Sequence, residues 1–558
     1  ILYNAHQFQN IREILNNTVK LYPKNVAFKI KNKKGKEVTY TDITYEMFQN
    51  DINEFGTGLV KLGFEDNRGA VIGKNSYEWA LTYFSVLNGV GVLVPLDKGL
   101  PEAEIELSLK RSKAEVIVFE SEYEDSIKRI LENNNTFLKQ AICMKTSNIE
   151  NILEIDDVKK IGRDEINKGN LSFINSEIDN KKMAAIIFTS GTTSLSKAVM
   201  LSHYNIASNI YSLQCIEKVY SDDVNMAFLP FHHTFGSTGL LFFIAHGATN
   251  VFCDGLRYIS DNMMEYHPSV ILCVPLLLEK MSQKIVRNMQ KSLPEKYTKN
   301  LKENENIVDK LPFYLKAIVK TKVKNSLGGR LRVFIVGAAA VNPEIANMFD
   351  KLGLNSLQGY GLTECAPLVS GNTDFYKRND SAGLPIPNVK YKIVNPNEEG
   401  VGEIAVQGPN VMLGYYKNEE ATKEVIKDGW FYTGDLGKID ENGYLYITGR
   451  SKSVIVTTNG KNIYPEELEY YLNEEEAIAE AIVLGVEDKK SNDTIIKAKI
   501  FPNIDAIKEI LKVDLPSKEQ IREVITNSIQ KINEKIPNYK HIKGFKIVDK
   551  ELEKTTTK

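Results

Sequence analysis

The chain has 558 residues, of which 42% are hydrophobic and 25% are charged. This balance is typical of a folded globular protein and excludes collagen, coiled-coil arrays and disordered tails. Basic and acidic side chains are nearly equal in number, 70 against 72, and the formal net charge of −2 does not favour nucleic acid as a partner.

Cysteine usage and apolar stretches indicate a cytoplasmic protein. None of the five cysteines forms a CxxC pair, so we expect neither a disulfide framework nor a zinc site. The longest apolar candidate, Gly239 to Ala248, is too short to cross a bilayer. The chain begins at Ile1 without a signal-like region and stops at Lys558, which suggests trimming at both ends.

Strand-like and helix-like segments alternate along most of the chain, a pattern that favours a layered α/β fold. Ala184 to Phe188 reads as a buried strand, and Ser202 is expected to cap a helix that begins near His203. Leu331 to Val336 predicts a second such strand, and Asn342 is expected to cap the helix after it.

The stretch 280–330 is predicted to be polar and helical, with 13 Lys or Arg against 4 Asp or Glu. Two interpretations stay open: a solvated helix face, and a basic surface that binds an anionic membrane or a phosphate group. Further on, Asn442-Gly443 predicts a hairpin turn. We place a domain boundary between residues 451 and 452, which gives domains 1–451 and 452–558.

The first motif with chemistry is a hydroxyl-rich loop that ends in a lysine. Hydroxyl and backbone N–H donors suit phosphate oxygens, and the lysine adds positive charge. The loop is not a Walker A motif, which ends in Gly-Lys-Ser/Thr, and a Ser/Thr-rich surface loop is the plain alternative. Its residues are Thr189, Ser190, Gly191, Thr192, Thr193, Ser194, Leu195, Ser196 and Lys197.

Two further motifs contain groups that suit a nucleotide. In the first, glycines permit a tight backbone path, a tyrosine offers a face for stacking on a base, and a glutamate is a ligand for Mg²⁺. It reads Gln358-Gly359-Tyr360-Gly361-Leu362-Thr363-Glu364. In the second, Asp435 follows Tyr432-Thr433-Gly434, with Arg450 further on. A loop carboxylate can bind both ribose hydroxyls, although a capping Asp is the plain alternative.

Taken together, these motifs resemble the adenylate-forming superfamily of acyl-CoA synthetases, luciferases and peptide-synthetase adenylation domains. The family's phosphate loop reads Thr-Ser-Gly-Thr-Thr-Gly-x-Pro-Lys-Gly; here Thr189 to Thr193 and Lys197 match, while Ser194, Ser196 and Ala198 differ. Phe228 to Gly236 resembles the motif that lines the acyl pocket. Val274 to Lys280 is similar to long-chain fatty acyl-CoA synthetases of the bacterial type.

The resemblance implies an α/β fold with a large layered N-terminal domain of β-sheets flanked by helices. A small mobile α+β C-terminal domain follows, with its hinge at Lys452. It also implies a fatty acid–CoA ligase that uses ATP and Mg²⁺ and takes CoA as co-substrate. The alternatives are a fatty-acyl-AMP ligase that loads a carrier-protein thiol, a non-catalytic relative that binds an acyl group or ATP, and a kinase-like phosphotransferase.

The resemblance assigns roles to individual residues. Catalytic roles fall to Lys197, Thr363, Glu364 (also the metal ligand) and His233, which closes the pocket near the acyl carboxylate. Nucleotide contacts fall to Thr189, Ser190, Gly191, Thr192, Thr193, Gly337, Ala338, Ala339, Gln358, Gly359, Tyr360, Gly361, Asp435 and Arg450. In the closing motif, Glu551 to Lys558, the family's catalytic lysine would fall one place beyond Lys558, so this chain is expected to adenylate poorly and still transfer a supplied acyl-adenylate to CoA.

Overall fold

The computed structural model describes residues 2–189, 196–299, 306–337, 340–457, 462–490 and 493–552. It has the mixed α/β fold that the sequence predicts, with large sheets in the N-terminal part and an α+β C-terminal part. The packing divides the chain into two compact units. Residues 1–391 and 406–431 form the first, and residues 392–405 and 432–554 form the second.

The helices, in chain order, are α1 (Ile11–Leu21), α2 (Tyr45–Lys61), α3 (Tyr77–Ser85), α4 (Glu102–Ser112), α5 (Glu124–Asn133), α6 (Ile155–Asn167), α7 (His203–Ile216), α8 (Thr234–Ala245), α9 (Ile259–Tyr266), α10 (Pro275–Ser292), α11 (Glu295–Thr298), α12 (Phe313–Ser326), α13 (Pro343–Lys351), α14 (Glu419–Val425), α15 (Pro465–Glu474), α16 (Ile504–Leu511) and α17 (Lys518–Asn533).

The strands are β1 (Val26–Lys34), β2 (Glu37–Thr44), β3 (Asn67–Ile72), β4 (Gly91–Pro95), β5 (Val116–Phe119), β6 (Gln140–Cys143), β7 (Leu153–Glu154), β8 (Met183–Phe188), β9 (Ala198–Ser202), β10 (Val224–Ala227), β11 (Thr249–Phe252), β12 (Val270–Cys273), β13 (Val333–Val336), β14 (Asn355–Gly361), β15 (Leu368–Gly371), β16 (Leu384–Pro385), β17 (Lys390–Val394), β18 (Gly402–Gln407), β19 (Gly414–Tyr415), β20 (Ile426–Lys427), β21 (Trp430–Ile439), β22 (Leu445–Arg450), β23 (Ile455–Val456), β24 (Asn462–Ile463), β25 (Ile478–Asp488), β26 (Asp493–Pro502) and β27 (Ile542–Ile547).

Two large sheets form the framework of the first unit. One has nine strands in the order β16-β15-β14-β13-β12-β10-β11-β1-β2, and the other has eight in the order β19-β9-β8-β4-β3-β5-β6-β7. Most neighbouring strands in both sheets are parallel, as β13 with β14 and β3 with β4 are, whereas β14 with β15 and β8 with β9 are antiparallel. Parallel sheets place ligands beyond the carboxyl ends of their strands. The hydroxyl-rich loop begins directly after β8, Gly337 directly follows β13, and the motif Gln358 to Glu364 includes the carboxyl end of β14.

Helix α8 explains the apolar run that the sequence analysis tested as a membrane span. Ten of its twelve residues are buried, because a helix that is apolar on all sides is stable in a protein core. No helix in the described part of the chain is both long and apolar enough to span a bilayer.

The second unit has its own apolar core. Strands β25, β26 and β27 form a three-stranded sheet, and helices α15, α16 and α17 contribute buried side chains to the same cluster, among them Leu468, Ile507 and Ile525. Elsewhere in this unit β21 pairs antiparallel with β22. This unit therefore has the α+β composition expected for the C-terminal domain.

The predicted helix caps and the predicted hairpin turn, which depend on neighbouring residues in the sequence, agree with the structure. The Ser202 hydroxyl accepts a hydrogen bond from the Asn205 backbone N–H and caps α7, and Asn342 caps α13 in the same way. Asn442-Gly443 lies in the turn between β21 and β22, where Gly443 has a positive φ of 88°. No disulfide bond joins any of the five cysteines, all of which the structure describes.

Candidate active site

The ends of the phosphate-type loop are joined by reciprocal hydrogen bonds. The Thr189 backbone N–H donates to the Lys197 carbonyl at 2.9 Å. The Lys197 N–H donates to the Thr189 hydroxyl oxygen at 3.0 Å. Since the Thr189 hydroxyl accepts here, its own O–H proton stays available for an oxygen ligand. The loop is thus closed at its base, directly after β8 and before β9.

Arg111 on α4 holds the lysine end of this loop. Its guanidinium donates to the Ser196 hydroxyl at 3.0 Å and to the Ser196 carbonyl at 2.9 Å, and it lies 4.9 Å from the centre of the Phe188 ring. Ser196 occupies the place where the family pattern has proline. Its hydroxyl provides a hydrogen-bond acceptor that proline lacks, and the two contacts of Arg111 fix the backbone next to Lys197.

We expect Arg111→Lys to raise the KM for ATP by about tenfold, because losing a charged hydrogen bond costs about 1.5–3 kcal/mol. The lysine keeps the charge but not the planar fork that reaches both Ser196 oxygens. Initial rates at varied ATP concentration measure the effect. Lys110→Ala, a change at the exposed neighbour, is the control; an unchanged KM in Arg111→Lys would contradict the anchoring role.

A tight reversal of the chain positions Glu364. Strand β14 turns back into the antiparallel β15, and a Cβ at Gly361 would lie 2.3 Å from the Pro367 carbonyl oxygen. Only glycine fits this approach. The turn after it, Thr363–Cys365, contains Glu364, whose carbonyl accepts from the Met412 N–H at 2.8 Å. The glycines of the motif therefore place a carboxylate at the carboxyl end of β14.

Tyr415 joins two of the predicted catalytic residues. It pairs with Val199 across β9 and β19, so its ring lies beside the chain that leaves the loop. The Lys197 ammonium is 5.2 Å from the centre of this ring, and the Tyr415 hydroxyl donates to Glu364 Oε1 at 3.4 Å. Burial, followed by the Glu364 charge, raises the pKa of Tyr415, so the phenol stays protonated and able to donate.

His233 begins α8 as a neutral side chain. Burial, with a smaller effect of His232, lowers the pKa of His233 to about 3. Its Nδ1 accepts from the Phe235 N–H at 3.2 Å, so in the neutral ring Nε2 carries the proton. Phe235 packs on Gly337, where a Cβ would lie 2.8 Å from the ring. This contact brings the start of α8 to the carboxyl end of β13.

An apolar cavity lies between helices α7 and α8 on one side and strands β13 and β14 on the other. Its volume is about 50 Å³. Helices α7 and α8 form one wall, with Leu213 and Phe242, and β13 and β14 form another, with Ile335 and Leu357. Gln358 and Gly359 of the nucleotide motif also line it, so the cavity reaches the carboxyl end of β14. Pockets of this kind bind apolar parts of small molecules.

The ribose-type motif lies in the second unit. Asp435 is opposite Arg450 in the β21–β22 pair, and Arg450 Nε is 3.3 Å from Asp435 Oδ1. The Asp435 backbone N–H donates to the Thr433 hydroxyl at 3.0 Å. The aspartate is 7% exposed. The contact with Arg450 orients the carboxylate, and an oriented acceptor is what binding of two hydroxyl donors requires.

Some of the remaining predicted site residues lie in the described part of the chain and others lie outside it. Gln358 Oε1 accepts from the Val341 N–H at 3.3 Å, and Tyr360 pairs with Ser370 across β14 and β15. The residues outside the described part are Ser190, Gly191, Thr192, Thr193, Ala338, Ala339 and Lys558, and the Lys452 side chain is outside it too. The roles of all these residues stay predictions.

Sequence reasoning missed Arg111 and Tyr415. Each lies far along the chain from the residue that it contacts, and neither belongs to a motif. It also assigned no role to Asn209, whose amide donates to the Leu368 carbonyl at 2.9 Å and ties α7 to the segment after Glu364. The contacts of Tyr415 with Lys197 and with Glu364 become evident only once β9 is paired with β19.

Among the described residues, no group of three His, Cys, Asp or Glu side chains could hold a metal ion.

Comparison with known proteins supports the same family for both parts of the chain. The family model "AMP-binding enzyme" matches residues 15–416, and the model "AMP-binding enzyme C-terminal domain" matches residues 452–558. The second match begins at residue 452, whereas the compact units divide near residues 391, 405 and 431.

Curated relatives include a long-chain-fatty-acid–CoA ligase of Haemophilus influenzae, 28% identical over 78% of this chain and 76% of that protein. The long-chain-fatty-acid–CoA ligase FadD15 of Mycobacterium bovis is 26% identical over 80% of this chain and 76% of that protein. A chloroplastic long-chain-fatty-acid–[acyl-carrier-protein] ligase, AEE15 of Arabidopsis thaliana, is 26% identical over 88% of this chain and 76% of that protein.

Solved structures share the fold. The anthranilate CoA ligase AuaEII in complex with anthranoyl-AMP gives a TM-score of 0.74 at 20% identity, covering 99% of this chain and 96% of that one. MatB from Rhodopseudomonas palustris with bound ATP gives 0.72 at 23% identity, covering 98% and 97%.

Proposed function

Because the chain belongs to the AMP-binding enzyme family, we propose that it is an ATP-dependent fatty acid–CoA ligase that works through an acyl-adenylate. The observation that carries the proposal is the convergence of Lys197 and Glu364, from two distant motifs, on Tyr415. The apolar cavity is lined by Gln358, which belongs to the same motif as Glu364, and by Pro367, three residues after Glu364. The site thus offers a cation for phosphate and a carboxylate for a metal, and the chain that carries the carboxylate continues into the wall of an apolar pocket.

In the first half-reaction, a carboxylate oxygen of the acid attacks the α-phosphorus of ATP, and the bond to pyrophosphate breaks. Lys197 and the donors of its loop hold the β- and γ-phosphates, and Thr363 contacts the α-phosphate. His233, as a neutral Nε2–H donor, orients the acid carboxylate. Chemistry of this kind depends on positioning and on donors aimed at developing charge.

Mg²⁺ would be held by Glu364 and the phosphates of ATP, where it would neutralise phosphate charge. Tyr415 donates to the same carboxylate. Its hydroxyl therefore helps to fix the orientation of the carboxylate that Glu364 would offer to the metal.

In the second half-reaction, the sulfur of CoA attacks the acyl carbonyl and AMP leaves with one oxygen of the original carboxylate. Asp435, oriented by Arg450, binds the ribose hydroxyls in both steps. The proposal includes rotation of the C-terminal domain about Lys452 between the steps, since two different nucleophiles, the acid carboxylate and the CoA sulfur, attack two different atoms in one site, the α-phosphorus and then the acyl carbonyl.

The acid is proposed to carry an aliphatic chain. Support comes from the apolar walls of the cavity and from curated relatives that are long-chain-fatty-acid ligases. ATP–pyrophosphate exchange across straight-chain acids from four to eighteen carbons tests this. Exchange that rises with chain length supports the proposal, whereas exchange with aromatic or short polar acids alone contradicts it.

A carrier-protein thiol is the second candidate acceptor, because the Arabidopsis relative is named as an acyl-carrier-protein ligase. Product formation with CoA and with a phosphopantetheinylated carrier protein, measured side by side, separates the two. Thioester formed only on the carrier protein would replace CoA in the proposal.

The proposal includes peripheral contact with an anionic membrane through α12. Phe313, Tyr314 and Ile318 are 87%, 59% and 49% exposed. Lys316, Lys320, Lys322 and Lys324 accompany them, and α12 contains no acidic residue. Exposed apolar side chains next to lysines match the interface of an anionic bilayer, where fatty acids also partition.

We expect the triple variant Lys320→Gln, Lys322→Gln, Lys324→Gln to bind vesicles of anionic phosphatidylglycerol about 10²-fold more weakly, at about 1 kcal/mol for each lysine. Co-sedimentation at low salt measures the affinity. Gln at the exposed Lys33, Lys34 and Lys36 is the matched control. Equal binding by the two triple variants would contradict the role of α12.

A further inference from the structure

Glu217 is a carboxylate at the inner end of the apolar cavity. It follows the last residue of α7 and lines the cavity together with Leu213 and Ile216. Asn209 lines the same cavity and bonds to Leu368, close to the turn with Glu364. At 1.5 Å per residue, α7 separates Asn209 from Glu217 by about 12 Å. The cavity therefore extends from the reacting end to Glu217.

The electrostatic surroundings place Glu217 at the far end of the sheet from the nucleotide motifs. Arg332 and Asp374, which act on its charge, lie next to the first residues of β13 and β14. The nucleotide motifs lie at the opposite ends of these strands. An acid whose carboxylate is at the reacting end would thus direct its other end towards Glu217.

The Glu217 carboxyl is buried without a full set of partners. The residue is 4% exposed, and Oε1 has no hydrogen-bond partner. Arg332 makes its ion pair with Asp223, at 2.5 Å, instead. Burial and then the Asp374 charge raise the pKa of Glu217 to about 8. The neutral carboxyl can both donate and accept, and a buried polar group left unpaired is costly.

We propose that Glu217 determines specificity by binding a hydroxyl group at the distal end of the acid, so that hydroxylated fatty acids are the preferred substrates. This rests on the proposed function and deepens it. A distal hydroxyl supplies the partner that Oε1 lacks, while a methyl end leaves the carboxyl unpaired. A site built to hydrogen-bond a substrate hydroxyl discriminates against the analogue without it.

The test compares matched pairs of acids: each unsubstituted fatty acid with the ω-hydroxy acid of equal carbon number. For the length that reaches Glu217, we expect wild type to favour the hydroxy acid by about tenfold in kcat/KM for adenylation. Glu217→Leu should lose or reverse this preference, and Glu217→Gln, which keeps a donor and an acceptor, should retain it. The exposed Glu424→Leu is the matched control for the chemical change.

A selectivity ratio equal in wild type and Glu217→Leu at every chain length would overturn the inference. If wild type neither exchanged with any acid of either series nor transferred a supplied acyl-adenylate to CoA, the proposed function itself would fail, which is a different result. Glu217→Met, with a flexible apolar side chain of similar length, replaces the leucine variant if that one does not fold.

A second readout needs no catalysis. In the fold, the carboxyl of Glu217 faces Asp374, Asp223, Arg332 and Tyr3 and stays protonated up to a pKa of about 8. In the unfolded chain it ionises above about pH 4.3. Wild type therefore loses stability relative to Glu217→Gln as pH rises from 5 to 8. We expect the Tm advantage of Glu217→Gln to grow over that range; a constant difference would show that the carboxyl does not line a dry cavity.

Discussion

Replacing Glu364 with alanine is expected to lower the rate of ATP–pyrophosphate exchange by about 10²–10³-fold, the usual cost of removing one group aimed at developing charge. Glu364 comes at the end of a turn that Gly361 makes possible, and its carboxylate meets the Tyr415 hydroxyl. Removing it takes away the single carboxylate that the motif offers to Mg²⁺. Exchange of labelled pyrophosphate into ATP at saturating acid measures the loss.

Two control variants separate the metal role from a structural one. Tyr415→Phe keeps the ring beside Lys197 and removes only the hydroxyl, so we expect a loss of about tenfold or less. Glu424→Ala makes the same change on the exposed surface of α14. Near-normal exchange in Glu364→Ala would show that the carboxylate takes no part in adenylation.

The second large effect is expected from Lys452→Pro, which should slow one half-reaction by about 10²-fold and spare the other. Proline fixes φ, and a backbone conformation it does not allow costs about 3 kcal/mol or more. Residue 452 lies in the short helical turn Ser451–Ser453 between β22 and β23, and the C-terminal family model begins there. Pyrophosphate exchange reports the first half-reaction, and CoA consumption from supplied acyl-adenylate reports the second.

Lys452→Ala is the matched control, because it removes the side chain and leaves φ free. It should affect neither half-reaction strongly if the backbone alone matters. If Lys452→Pro retained both rates, rotation about this residue would be excluded. The hinge would then have to be sought at another point, such as the unit boundaries near residues 391, 405 and 431.

Short-range features of the fold could be predicted because they depend on neighbouring residues. Ser202 caps α7 and Asn342 caps α13 as their positions suggest. The strand expected over 331–336 begins two residues later, at Val333. Arg332 before it directs its guanidinium to Asp223 and to the Lys218 carbonyl, a pairing across more than a hundred residues that no local pattern contains.

The site could be predicted only in part for the same reason. Motif residues such as Lys197 and Glu364 were found because each motif is continuous in sequence. Tyr415 and Arg111 support them from other elements, and Glu217 reaches the cavity only because α7 packs beside β13 and β14. Glu217 is unusual because its carboxyl is buried, and burial is a property that the residue type alone does not indicate.

The most direct test of the account follows one oxygen atom. When the acid is labelled with ¹⁸O in both carboxylate oxygens and incubated with ATP and CoA, an acyl-adenylate mechanism transfers one ¹⁸O to AMP. Mass spectrometry of the nucleotide products reads this out. We expect one ¹⁸O in each AMP formed; ¹⁸O in inorganic phosphate with ADP as the product would contradict adenylation.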